Sequence, residues 1–305
     1  MVAMPELPAA PVAVGLVGAG PWADALHAPM LAAGPETTLA GVWARRPEAA
    51  RALASAHGTR AVRRYEELLD ACEAVAFAVP PDVQAAMAVV AARAGRHLLL
   101  EKPVGLTVEE AQRVADAVDS SGVVSQLVLT NRYTQAGRDF LARAAGFEAV
   151  GAHCLALSGA LLGDSPFATP WRRKHGALLD VGPHALDMLE AALGPVRELS
   201  GRGDPLRWTS LTCRHAGGAV SAVSLSISLP LPRSVWELAL YGPSGSLELR
   251  KPTDPRTVEA ERAATVATIR REFAAAVRAG EPPPLDARRG LELQRLIDAA
   301  ARSLG

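Results

Sequence analysis

The chain has 305 residues, of which 49% are hydrophobic and 21% charged, and its 32 basic side chains balance its 32 acidic ones. This composition excludes a mainly disordered chain, argues against a strongly basic nucleic-acid-binding protein and supplies material for about two domains. No uncharged apolar run reaches the ~20 residues of a membrane span, no secretory signal is visible over residues 1–11, and three widely spaced cysteines argue against a disulfide framework. We therefore expect a cytoplasmic protein with neither a membrane nor a nucleic acid as its partner.

The first third of the chain alternates short apolar runs with longer alanine-rich amphipathic stretches. The runs predict strands at 12–17, 38–43, 74–79, 97–100 and 123–129. The stretches between them predict helices at 22–33, 47–57, 82–94 and 107–120, the last with a capping box of Thr107 and Glu110. Because apolar strands that alternate with helices indicate a parallel sheet covered on both faces, we expect an α/β, doubly wound Rossmann domain over residues 10–130.

The pattern changes after about residue 129. Strands are predicted at 148–157, 206–214, 219–229, 234–241 and 246–249, followed by helices at 257–279 and 286–304. Turn residues at 216–218 and 242–245 are typical of antiparallel hairpins. We expect an α+β domain over residues 131–305, with an open, mainly antiparallel sheet, for the substrate and for oligomerisation.

A glycine-rich turn, G-x-G-x-x-A, follows the first predicted strand at residues 18–23. The first glycine allows a tight turn, the second lets the backbone approach a pyrophosphate, and the small third residue lets helix and strand pack closely. The helix that follows offers free N–H groups to phosphates. In this context we predict a dinucleotide site with Gly18, Gly20, Pro21 and Trp22, and not an ordinary glycine turn.

The end of the second predicted strand discriminates between NAD and NADP, because an acid there would accept a hydrogen bond from the ribose 2′-hydroxyl. This chain has Ala44-Arg45-Arg46 instead. Arg45 can pair with a 2′-phosphate and Arg46 can stack on the adenine. The pattern favours NADP(H), with NAD possible, against the alternative of two solvated arginines.

Lysine is rare in this chain, which contains only Lys102, Lys174 and Lys251. Glu101-Lys102-Pro103 follows the fourth predicted strand, at the carboxyl edge where open α/β sheets bind ligands. A lysine can lose its proton, whereas an arginine effectively cannot. The rarity of lysine and the position of Lys102 favour a functional role over a surface ion pair.

A second dense cluster, D-x-G-x-H-x-x-D, occupies residues 180–187. Pro183 suits a first helical turn, so Asp180 and His184 would lie close together at a helix start, with His184 and Asp187 on one face. Histidine is the natural proton carrier near neutral pH. The alternatives are a structural His–Asp pair and a metal site that draws on His153, His175 or Asp187. No ligand spacing supports a metal, so none is predicted.

Together these motifs resemble those of the Gfo/Idh/MocA oxidoreductase family, over about residues 11–304. The resemblance is carried by the glycine-rich turn, by Val79-Pro80-Pro81, by Glu101-Lys102-Pro103 and by the cluster at 180–187; residues 241–247 resemble the family's hairpin. It implies an enzyme that interconverts a hydroxyl and a ketone on a sugar, cyclitol or similar molecule, with NAD(P) as the cofactor.

The resemblance also implies roles for individual residues. Lys102 would bind the reacting oxygen and order the nicotinamide ribose, His184 would be the acid/base, and Asp180 would orient or support that proton transfer. The cofactor set would further include Pro80, Pro81 and Glu101 with Lys102, and the substrate set would include Asn131, Arg132, Tyr133, Trp171 and Arg172. Gln84 stands where many relatives carry a histidine.

Two other functions remain open at this point. One is a dinucleotide-sensing regulatory protein of the same fold. Such proteins usually lack the lysine or the histidine of the catalytic set, whereas this chain keeps Lys102, Asp180 and His184. The other is a reductase of a non-sugar carbonyl or imine. The family's habit of pairing through the second-domain sheet predicts a homodimer or homotetramer.

Overall fold

The computed structural model describes residues 10–304, and its first domain is built on a five-stranded parallel sheet. The strands are β1 (Val12–Val17), β2 (Thr37–Trp43), β3 (Ala74–Phe77), β4 (His97–Glu101) and β5 (Ser125–Val128). They lie in the order β2-β1-β3-β4-β5, and every neighbouring pair is parallel. The predicted Rossmann sheet is confirmed, because nearly every strand residue is buried on both faces.

Helices cover this sheet on both faces. They are α1 (Ala28–Ala32), α2 (Pro47–Ala56), α3 (Tyr65–Asp70), α4 (Pro81–Arg93) and α5 (Val108–Ser121). The single helix predicted at 22–33 is wrong in detail, because Ala23–His27 forms a π-helical turn before α1. Within it the His27 ring is fully buried, and its Nε2 lies 2.8 Å from the Glu101 carboxylate, a contact that periodicity cannot reveal. The short helix α3 escaped prediction because six residues carry too little periodicity.

The second domain contains a six-stranded sheet. Its strands are β6 (Gly151–Leu157), β7 (Val196–Asp204), β8 (Trp208–His215), β9 (Val220–Ser226), β10 (Val235–Gly242) and β11 (Gly245–Arg250). They lie in the order β11-β10-β6-β9-β8-β7, and all pairs are antiparallel except β6 with β9. The predicted open, mainly antiparallel sheet is confirmed. Strand β7 escaped prediction because it is an edge strand with mostly exposed residues and no apolar alternation.

Six further helices complete the chain: α6 (Thr130–Tyr133), α7 (Gln135–Ala144), α8 (Pro170–Asp180), α9 (Gly182–Leu193), α10 (Pro255–Ala279) and α11 (Ala287–Ser303). The last two return to the first domain. The Gln126 side chain donates to the carbonyl of Ile269 in α10 at 3.0 Å, and the Leu127 N–H at the edge of β5 donates to the Leu285 carbonyl at 2.7 Å. The C-terminal helices thus help to hold the domains together. No helix described here is long and apolar enough to cross a membrane.

Helix α8 is broken at Gly176, and this break shapes the region that joins the two domains. Gly176 has φ +66° and ψ −155°, a conformation open essentially only to glycine. A Cβ there would lie 2.1 Å from the carbonyl oxygen of Pro205. Residues eight apart in an unbroken helix are about 12 Å apart along its axis, yet Arg172 and Asp180 form an ion pair. The break therefore helps to bring the two side chains to one place.

We expect Gly176→Ala to lower the free energy of unfolding by at least about 3 kcal/mol, because it adds a steric overlap to a strained backbone. Gly58→Ala is the matched control, since Gly58 also has positive φ (+63°) but a Cβ there meets nothing within 4 Å. The control substitution should lower the free energy of unfolding by only about 1–2 kcal/mol. Urea denaturation of both variants measures the free energy of unfolding. Equal losses in the two variants would contradict the role given to the Pro205 contact.

Candidate active site

A cleft of about 360 Å³ opens where the carboxyl ends of β3, β4 and β5 face the second domain. Ligands bind at this edge in open α/β sheets. The far wall is formed by residues of the 158–169 loop and by α8 and α9. Eleven of the predicted site residues line the cleft: Gly20, Pro21, Trp22, Pro80, Pro81, Glu101, Lys102, Trp171, Arg172, Asp180 and His184.

The Lys102 amine joins the two domains inside this cleft. Its Nζ donates to the backbone carbonyl of Asp180 at 2.7 Å and to the carboxylate Oδ1 of the same residue at 3.0 Å. The other carboxylate oxygen, Oδ2, forms an ion pair with Arg172 Nε at 3.0 Å. Both side chains of the Lys102–Asp180 pair are largely buried, with 12% and 9% exposure. Lys102 is therefore fixed in position by contacts from the opposite domain.

Asp180 is a carboxylate in this setting. Burial raises its pKa, but the charges and hydrogen bonds of Lys102 and Arg172 outweigh burial, so the net pKa lies below the usual value. The Arg172 guanidinium also stacks on the Trp171 ring, 4.6 Å from its centroid. Asp180 thus carries a negative charge between two cations, one from each domain.

The His184 ring borders the cleft at the start of α9. Nδ1 is enclosed without a hydrogen-bond partner among the described residues, which leaves Nε2 as the nitrogen that can meet a substrate. Burial, followed by the charges of Lys102 and Lys251, lowers the pKa of His184 well below its usual value, against the opposite effect of Asp180. The ring is therefore neutral at pH 7 and able to accept a proton.

The carboxylate of Glu101 is held by two aromatic residues of the first domain. Oε1 accepts a hydrogen bond from Trp22 Nε1 at 2.7 Å and lies 2.8 Å from His27 Nε2. The Trp22 ring in turn meets Phe167 of the 158–169 loop edge-on, with centroids 6.0 Å apart. This chain of contacts runs from the glycine-rich turn across the mouth of the cleft to the second domain.

Gln84 fixes the backbone that carries Lys102. Its side-chain oxygen accepts from the Glu101 N–H at 2.8 Å, and its side-chain nitrogen donates to the Glu101 carbonyl at 2.7 Å. The same nitrogen also approaches the carbonyls of Pro103 and Val104 at 3.2 and 3.3 Å. An amide supplies both a donor and an acceptor here, which gives a physical reason for glutamine at this position.

A second cavity of about 300 Å³ lies on the other side of the glycine-rich turn, and it shares Gly20, Val79 and Pro80 with the cleft. Gly18, Arg45 and Arg46 line it as well. Gly18 has φ +117°, and a Cβ there would lie 2.4 Å from the Ala78 carbonyl, whereas a Cβ at Gly20 meets nothing within 4 Å. A tight turn at Gly18 and free space beside the backbone of Gly20 are the two features that allow a dinucleotide pyrophosphate to approach the backbone.

Three predicted substrate residues lie away from the cleft lining: Asn131, Arg132 and Tyr133. Asn131 and Tyr133 are buried. Arg132 pairs with Asp187 at 3.1 Å, and Asp187, fully buried, also binds Arg289 at 2.8 Å. Asp187 therefore joins α9 to α6 and α11, and its hydrogen bonds go to arginines and not to His184.

Sequence reasoning missed several residues around the cleft. Phe167 and Thr169 belong to a loop without a motif, and no sequence pattern places Trp236 against His184, whose ring centroid lies 6.2 Å away. Lys251, whose charge acts on His184, could have been singled out by the rarity of lysine. Among residues 10–304, no group of three or more His, Cys, Asp or Glu side chains is arranged to hold a metal ion.

Comparison with known proteins agrees with this geometry. The model of an oxidoreductase family with an NAD-binding Rossmann fold, GFO_IDH_MocA, matches residues 12–128. An uncharacterised oxidoreductase of Rhizobium meliloti is 27% identical over 96% of each chain. A dTDP-3,4-didehydro-2,6-dideoxy-alpha-D-glucose 3-reductase of Streptomyces violaceoruber is 29% identical over 79% of this chain and 73% of its own.

The fold recurs in the crystal structure of GenD2 from gentamicin A biosynthesis in complex with NAD. That structure covers 99% of this chain and 97% of its own, with a TM-score of 0.85 at 22% identity. The matched dinucleotide-binding domain, the relatives and the shared two-domain fold agree with one another. Residues 12–128 match the NAD-binding Rossmann domain of the GFO_IDH_MocA oxidoreductase family, and the chain is similar to an oxidoreductase over 96% of its length.

Proposed function

We propose that this oxidoreductase interconverts a hydroxyl and a ketone on a sugar, a cyclitol or a similar polyol, with NADP(H) as its cofactor. The observation that carries the proposal is the meeting of Lys102, Asp180 and His184 in one cleft beside the glycine-rich turn. A dinucleotide-sensing protein would have no use for a fixed cation and a neutral imidazole at this place. The relative from Streptomyces violaceoruber, a reductase of a deoxysugar by its name, supports a sugar-like substrate.

The dinucleotide, when bound, takes up or supplies the hydride. The residues of this chain manage the proton and the charge on oxygen. Neutral His184 accepts the proton of the substrate hydroxyl at Nε2 as the hydride leaves the carbon that bears this hydroxyl, and it returns the proton to the oxygen in the reverse direction.

Lys102 stabilises the negative charge that develops on the reacting oxygen. Its amine is held by the backbone and the side chain of Asp180, so little reorganisation is needed when the substrate binds. The role of Asp180 is to hold Lys102 and Arg172, through direct contacts with both. Trp171, at the edge of the cleft beside Arg172, offers a face on which a sugar ring can stack.

The preference for NADP(H) rests on Arg45 and Arg46. Both side chains are exposed at the end of β2, and both line the cavity next to the glycine-rich turn. Neither forms an ion pair with any residue in the described part of the chain, so both guanidinium groups are available for a 2′-phosphate.

We also propose a homodimer or homotetramer that forms through the second-domain sheet. Helices α8 and α9 pack against one face of this sheet. The other face leaves Trp208, Val220 and Tyr241 at 41%, 45% and 47% exposure. Exposed apolar side chains on one sheet face are typical of an interaction surface.

We expect Lys102→Met and His184→Ala each to lower kcat at least about a hundredfold, because each removes a group that acts in the transition state. The dissociation constant for NADPH should change much less. The measurement is steady-state oxidation of a polyol panel, with NADPH binding followed by fluorescence. Lys174→Met is the control, since Lys174 is an exposed lysine of α8 outside the cleft lining. Unchanged turnover in either variant would remove that residue from the mechanism.

The lowered pKa of His184 predicts a pH dependence. The imidazole is the active base only when neutral, and a lowered pKa keeps it neutral below its ordinary value of 6.5. We therefore expect kcat/KM for hydroxyl oxidation to hold its plateau as the pH falls through 6.5, with the acid limb below that. A midpoint of the acid limb at or above pH 6.5 would be incompatible with this assignment of the base.

We expect Arg45→Ala to raise the dissociation constant for NADPH about ten- to a hundredfold, because a charged hydrogen bond to phosphate is worth roughly 1.5–3 kcal/mol. The constant for NADH should stay near the wild-type value. Arg51→Ala is the matched control, as Arg51 is an exposed arginine of α2 outside the cavity lining. Equal weakening of both cofactors would refute the 2′-phosphate contact.

A further inference from the structure

Lys251 occupies an unusual position at the end of β11. Residues of this strand alternate, and Leu247 and Leu249 face the interior, where both are buried. Lys251 follows at the next position of the same alternation. Its side chain is nevertheless exposed to solvent. The inward face of β11 therefore ends in a cation that reaches solvent.

This cation lies beside the candidate active site. The Lys251 amine lies over the face of Trp236, 5.6 Å from the ring centroid. The other neighbour of Trp236 is His184, which meets it edge-on with ring centroids 6.2 Å apart. Lys251 does not itself line the cleft. It contacts the same indole ring as His184, its charge lowers the pKa of His184, and the charge of Lys102 lowers the pKa of Lys251.

The Lys251 amine has no anionic partner in the part of the chain that the structure describes. No carboxylate lies within 4 Å of Nζ, and no hydrogen bond is formed by it. Although the Lys251 side chain reaches solvent, the protein atoms packed around its amine lower its pKa, Glu261 of α10 acts in the opposite direction, and the charge of Lys102 adds to the lowering. A cation set among protein atoms without a counter-ion attracts an anion from solution.

We propose that Lys251 binds a negatively charged substituent of the substrate, a phosphate ester or a carboxylate, while His184 meets the reacting hydroxyl. This inference rests on the proposed function and narrows its substrates to anionic sugars or polyols. Both groups contact the same indole ring, so they lie within reach of one sugar ring whose anionic group is remote from the reacting carbon. Lys102 and Arg172 cannot play this role, because both already share the carboxylate of Asp180.

Matched pairs of neutral and anionic sugars test the proposal on the NADP(H)-saturated protein. The pairs are glucose with glucose 6-phosphate, which tests a phosphate group, and galactose with galacturonate, which tests a carboxylate. Binding is measured by calorimetry, and turnover by the change in NADPH absorbance. The proteins are the wild type, Lys251→Met, Lys251→Arg and the control Lys174→Met.

We expect the wild type to favour at least one anionic member about ten- to a hundredfold in affinity and in kcat/KM, as for a charged hydrogen bond. Lys251→Met should bring that ratio close to one, Lys251→Arg should retain part of it, and Lys174→Met should retain all of it. A wild type without anionic preference in either arm, or a Lys251→Met variant that keeps the preference, would overturn the inference.

The two proposals fail in different ways. If neutral sugars are oxidised as well as anionic ones and Lys102→Met abolishes both reactions, the dehydrogenase stands and the role of Lys251 falls. If Lys251 is needed for an anionic sugar to bind but no sugar or polyol is turned over, the anion site is supported and the proposed reaction is refuted.

Discussion

The contact between Lys102 and Asp180 is the interaction on which the site depends, because it joins the catalytic edge of the first domain to the second. Both groups are largely buried, so each needs the other: removing one partner of such a pair commonly costs about 3–5 kcal/mol through the charge left behind. Arg172 completes the cluster and leaves Asp180 between two cations. The charges to which we assign a catalytic role are therefore also part of what holds the two walls of the cleft at a fixed distance.

Three residues support this contact without taking part in it. Gln84 binds the backbone on both sides of Lys102. Gly176 breaks α8 so that Arg172 and Asp180 can approach the same place. Asp187 binds Arg132 and Arg289 and so anchors α9, which carries His184. None of these three residues is among the groups proposed to react. Each meets a need for buried hydrogen bonds or for an unusual backbone conformation, and few other residue types could meet it.

The electrostatic balance of the cleft gives His184 and Lys102 different tasks. Burial and two nearby lysines keep the imidazole neutral, so it can take a proton near pH 7. Lys102 stays paired with the carboxylate of Asp180. One cleft thus presents a proton acceptor and a cation side by side, the combination that hydroxyl–ketone interconversion requires. Lys251 adds a further cation, for which the part of the chain that the structure describes provides no carboxylate partner.

The sequence by itself determined the parallel first domain and its glycine-rich turn, and it singled out Lys102, Asp180 and His184 as candidates, because these features depend on local periodicity and on short motifs. It did not reveal β7, α3, the π-helical turn or the break at Gly176, since exposed edges and one-turn irregularities leave no periodic signal. Only the tertiary structure decided that Arg132 pairs with Asp187 and that Lys251 lies beside Trp236. The physical reason is that a side chain's partner depends on how elements far apart in the chain pack together, and no local pattern encodes that packing.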